Sequence, residues 1–114
     1  MHLDVYILDQ HRRVEVAPAD LESGRPLFDK MDADMDVGCR MGPEFITEPN
    51  RIHRAQMAAD KLLTAIETEN PLMITAMSAY IAARVPEARA LHIDVSGEPQ
   101  NTSLTDAQGN EIFA

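Results

Sequence analysis

A chain of 114 residues leaves room for one domain, residues 1–114, and excludes a two-domain arrangement. Ten Lys and Arg against nineteen Asp and Glu give a net charge of −9, which opposes broad contact with a phosphate backbone or an anionic membrane, so neither nucleic acid nor a bilayer is an expected partner. A single Cys forbids an internal disulfide and fits a reducing compartment, and with neither a signal-like start nor a bilayer-length apolar run the expectation is a cytoplasmic protein.

From Leu3 to Leu8, apolar Leu3, Val5 and Ile7 alternate with Asp4 and Tyr6, which is the period of a half-buried strand. Val14 and Val16 repeat the alternation after the polar run Asp9–Arg13, so the two pieces read as a hairpin through that run. The stretch from Pro18 to Pro49 is dense in Pro, Gly and acidic residues and reads as mostly loop, with a helical turn near Ala19 to Ser23.

Two helices follow. Asn50 is an N-cap, and behind it Ile52, Ala55, Ala59, Leu62, Leu63 and Ile66 recur at helical spacing with charged residues between them, which predicts an amphipathic helix from Asn50 to Glu69. Asn70 and Pro71 then open a second helix that Pro86 stops, and its residues Pro71 to Val85 are apolar on nearly every face. Such a helix must be buried all round. The first helix and a sheet cover two of its sides, so the third is expected to lie against a second copy of the chain, through Met73, Met77, Tyr80 and Ile81. Beyond Pro86, Leu91, Ile93 and Val95 alternate with His92 and Asp94 as another strand, and the polar tail supports a weak closing hairpin from Thr102 to Thr105 and Glu111 to Phe113. The fold class expected is α+β, a small antiparallel β-sheet packed on a two-helix hairpin, in the order β-β-α-α-β(-β).

Of the groups that can carry chemistry, Asp32, Asp34 and Asp36 are the sharpest, because carboxylates at alternate positions in a turn converge on a hard cation such as Ca²⁺ or Mg²⁺. The run departs from the register of a calcium loop, with Val37 where the turn glycine belongs and Glu44 one place late for the closing ligand. A softer set, Met35, Cys39 and Met41 with Met31 and His53 in reach, has the donors that favour Cu(I). His92 with Asp94, and Asp4 with Glu15, are candidate acid and base pairs on a wet sheet face, and Cys39 with His53 is a candidate nucleophile and base. No Gly-rich phosphate loop, paired Cys motif or metal-binding His helix occurs in the sequence.

These features favour a non-catalytic accessory or protein-interaction module that acts as a homodimer with an unknown protein partner and needs no cofactor. A divalent-metal protein using Asp32, Asp34 and Asp36 is the alternative, and a small enzyme with an acidic cleft the third.

Overall fold

The structure, a computed structural model, describes residues 1–113. Strands β1 (His2–Ile7) and β2 (Gln10–Glu15) form the expected hairpin, paired antiparallel from His2 with Glu15 to Ile7 with Gln10. Its turn is tighter than the polar run suggested. Leu8 and Asp9 alone make it, with Leu8 at φ 56°, and most of the run lies in β2, where an edge strand needs little apolar surface.

The stretch expected to be mostly loop holds the helical turn expected near Ala19 to Ser23, as α1 (Pro18–Ser23), and beyond it a second helix and a hairpin that were not expected: α2 (Arg25–Asp36), β3 (Cys39–Met41) and β4 (Glu44–Ile46). Pro26 sits in the first turn of α2, where its missing N–H costs nothing. Two stripes at helical spacing then run along it. Phe28, Met31 and Met35 pack toward the core, and Asp29, Asp32 and Asp36 meet arginines of other helices. Gly38, at φ 104°, turns the chain out of α2, and a Cβ there would lie 2.7 Å from the Phe45 ring.

Helices α3 (Arg51–Glu67) and α4 (Pro71–Arg84) are capped as their sequences dictate. The Asn50 side chain accepts from the His53 N–H at 2.8 Å while the Asn50 N–H donates to His53 Nδ1 at 3.1 Å, and the Asn70 side chain accepts from the Met73 N–H at 3.2 Å. Glu69, at φ 53°, folds the chain back so that the two helices pack as a hairpin.

Beyond α4 come β5 (Ala90–Ile93) and β6 (Ser103–Thr105), and the sheet order is β2-β1-β5-β6. It is a mixed sheet rather than the antiparallel one expected, because β5 pairs parallel to β1, from Asp4 with Ala90 to Ile7 with Ile93. A parallel pair needs a long crossover, and the helices between β1 and β5 supply it. Val95 falls beyond the end of β5 and is 46% exposed. The closing hairpin reduces to β6, a bridge from Thr105 to Glu111 and the Ile112 N–H donating to the Leu104 carbonyl at 2.8 Å.

The fold is α+β, with one core between the helices and one face of the sheet. Leu3, Val5, Val14, Leu91 and Leu104 meet Ala55, Ala59 and Leu62 of α3 and Ile74, Met77 and Ile81 of α4. The side of α4 that carries Met77, Tyr80 and Ile81, expected to face a second copy, is covered within the chain. Phe28 of α2 packs edge-to-face on Tyr80, with ring centres 5.8 Å apart at 76°. Burying Phe28 contributes about 1.5–3 kcal/mol, and the segment read as loop thereby does the work assigned to a partner.

Candidate functional site

Asp32, Asp34 and Asp36 lie on α2 rather than in a turn, and helical geometry parts them. Asp32 and Asp36 share one face, where Arg54 donates to the Asp32 carboxylate at 3.4 Å and to Asp36 at 2.7 Å. Arg84 donates to Asp32 at 2.8 Å and to Asp29 at 3.3 Å, and the Tyr80 hydroxyl donates to Asp32 at 2.5 Å. Asp34 points elsewhere and pairs with Lys30 at 3.1 Å. Burial acts to raise the Asp32 pKa, but bonds from Tyr80, Arg84 and Arg54 outweigh it, so its pKa lies below the usual 3.8. Burial first, and then the bond to Asp32, raise the Tyr80 phenol well above its ordinary 10. Each carboxylate is thus matched to a cation of the chain, and no three His, Cys, Asp or Glu gather as a metal cage among the described residues. The convergence that a cation site requires is not present, because a helix spreads alternate residues over opposite faces. The cluster clamps α2 to α3 and α4.

The residues expected at a dimer interface are largely core. Met77, Tyr80 and Ile81 are at most 1% exposed within the single chain and Met73 is half-buried, which corrects the expectation that they face outward. The soft cluster is likewise spent in packing: Met31 and Met41 are buried, and burial raises the thiol pKa of buried Cys39. The His53 ring is engaged in capping α3, its Nδ1 accepting from the N–H of the N-cap Asn50. Asp94 accepts from Ser96 and Glu98 in the loop after β5. His92 bonds Thr105 instead, at 3.2 Å. Asp4 and Glu15 do not pair; Asp4 lies opposite Arg13 and Glu15 opposite His2.

The chemistry left over collects on the solvent face of the sheet. Its register sets two rows across the strands: Arg13, Asp4, Ala90 and Thr105 in one, His11, Tyr6, His92 and Ser103 in the other. In the second row the three rings stack. His11 lies 4.7 Å from Tyr6 at 16°, and His92 lies 5.1 Å from Tyr6 at 7°, close to the strand spacing of about 4.8 Å. Rings stacked across strands turn their edges to solvent, so the row displays imidazole nitrogens and a phenol. Asp4 braces it, accepting from His11 Nε2 at 2.9 Å and from Arg13 Nε at 3.3 Å. The His11 bond is the largest cause of the lowered Asp4 pKa. Beside the rings a hollow of about 340 Å³ lies over Ala90, walled by Asp4, Tyr6, His92, Thr105 and Asp106. A carboxylate that fixes an imidazole is also an acid–base arrangement, and it is the one geometric feature that favours the small-enzyme reading.

Alternation at Asp4 and Tyr6 marked the wet face in the sequence. His11 and Arg13 did not, since they lay in the run taken as a turn, and the neighbouring of Tyr6 and His92, distant in sequence, follows from a parallel pairing that no local pattern encodes. No family model, no curated protein and no solved structure matches this chain. Among the described residues no helix is long and apolar enough to cross a membrane.

Proposed function

We propose that the protein is a small non-catalytic interaction module that engages a protein partner through the solvent face of its sheet. The observation that carries this is the ring row His11–Tyr6–His92, braced by Asp4 and Arg13. Side chains already held in one arrangement lose little freedom on binding, which lowers the entropic cost of docking. Three of the four histidines, His2, His11 and His92, lie on this face with Arg13, beside the carboxylates of Asp4 and Glu15. Such a face suits a partner surface of mixed polar groups and an apolar or aromatic contact on the exposed rings. Homodimer formation belongs to the same reading, and the lone buried Cys39 suits a reducing cytoplasm.

A photo-crosslinking residue at Tyr6, compared with one at Leu8 in the adjoining turn, tests the assignment. Crosslinks to a discrete partner from position 6 and not from position 8 support it; equal capture from both contradicts it.

A further inference from the structure

The hollow over Ala90 combines an exposed ring face with carboxylates. Strand β6 places Ser103 opposite His92, and so short a side chain leaves the outer face of the exposed His92 ring uncovered, while Tyr6 stacks on its inner face. Thr105 fixes the ring, its hydroxyl 3.2 Å from Nε2. Asp106 accepts at Oδ1 from the Gln108 and Asn110 N–H groups, each at 2.9 Å, and Asp4 likewise takes its bonds from His11 and Arg13 at Oδ1. Each carboxylate therefore keeps its second oxygen for another donor. Glu111, bridged to Thr105, adds a third carboxylate on the same face. The cations beside the hollow are engaged already, Arg13 with Asp4, and Arg89 through Nη1 with the Pro86 and Ala88 carbonyls at 2.7 and 2.9 Å.

We infer that an arginine side chain of the protein partner enters this hollow, its guanidinium flat on the His92 ring and donating to Asp106 and Asp4. A guanidinium is planar, always charged and rich in donors, so it stacks on a ring and bonds a carboxylate at the same time. Lysine offers the charge without the plane, and a neutral aromatic offers the plane without the charge. At about 340 Å³ the hollow is at the small end of ligand pockets and suits one such group. Charge acts in the same sense over the whole surface, since a chain of net charge −9 draws a basic partner. The inference rests on the reading of the sheet face as the binding surface and adds the chemistry of the partner, a basic surface with an exposed arginine.

Titration of the ¹⁵N-labelled protein with N-acetyl-arginine N-methylamide, and with the lysine and citrulline analogues, tests it. Citrulline keeps the plane and loses the charge, and lysine does the reverse. The expected result is saturable shifts at Ala90, His92, Thr105 and Asp106, with a dissociation constant on the order of 1–10 mM for the arginine compound. Binding should weaken as salt rises from about 20 to about 500 mM, and each analogue should bind at least about 3-fold more weakly. Asp106→Asn keeps the Oδ1 acceptor that orders the turn at 106–110 and removes the charge, so the fold survives, and affinity for the arginine compound should fall about 3-fold. Asp60→Asn, at an exposed position on α3, should leave it unchanged. No saturable shift at about 50 mM, equal affinity for the citrulline or the lysine analogue, or an Asp106→Asn affinity equal to the parent's would each overturn the inference. All three leave the sheet-face reading standing, because crosslinking at Tyr6 tests that separately.

Discussion

The Tyr80 hydroxyl donates to Asp32 across 2.5 Å, joining α4 to α2 between residues 48 positions apart. Arg84 closes the group from the other side, its guanidinium 5.5 Å from the centre of the Tyr80 ring and 2.8 Å from Asp32. Helix α2 buries only Phe28 and Met31, so this polar clamp carries much of its attachment.

Removing the acceptor should therefore cost more than removing the donor. Asp32→Ala leaves Arg54 and Arg84 without their shared carboxylate and is expected to destabilise by about 2–4 kcal/mol, whereas Tyr80→Phe costs about 1–2. Asp34→Ala, which loses only an exposed pair with Lys30, should cost under about 0.5. Equal effects of Asp32→Ala and Asp34→Ala in denaturant melts would contradict the clamp.

Acid should act on the same group. The folded Asp32 pKa lies below its usual 3.8, so the stability it contributes is present above that value and is lost as pH falls through the folded pKa. Glu87, held down to about 2 chiefly by its hydrogen bond from Arg51, acts in the same direction. Stability measured from pH 5 to pH 2 should therefore fall less steeply in Asp32→Asn, which starts lower and has no proton to take up there. A parent and variant with the same slope would show that Asp32 is not a principal titrating group.

Chelation should change nothing. EDTA is expected to leave the melting temperature where it was, because Asp32, Asp34 and Asp36 are matched to Arg54, Arg84, Tyr80 and Lys30 rather than to one another. A fall of more than about 5 °C, roughly 1 kcal/mol for a chain of this size, would restore the metal reading.

Leu62 is fully buried against the sheet while Lys61 beside it is exposed. Leu62→Ala should cost about 2–5 kcal/mol and Lys61→Ala under about 0.5. Similar losses for the two would mean that the buried face of α3 is misassigned.

What the sequence disclosed and what it hid divide along physical lines. The cap residues Asn50 and Asn70, the apolar stripe of α3 and the alternation of β1 act within a few residues, and each is legible locally. Helix α2 was hidden because its second stripe is acidic: Asp29, Asp32 and Asp36 resemble a solvated loop until Arg54 and Arg84, 22 and 52 positions beyond Asp32, are brought to them. The third side of α4 was misread for the same reason, since Phe28 lay in the segment taken as loop. The ring row needs both the hairpin register that faces His11 with Tyr6, which the two-residue turn sets and the longer expected turn concealed, and the parallel register that faces Tyr6 with His92, which no single stretch encodes.

The sheet-face account is tested most directly by capture of partners from the native host with the parent protein and with the double variant Tyr6→Ala, His92→Ala. Both positions are exposed, so the variant should melt within about 1 kcal/mol of the parent. The account predicts that a discrete partner retained by the parent is lost from the folded double variant and kept by Lys61→Ala. Undiminished capture by the folded double variant would contradict it.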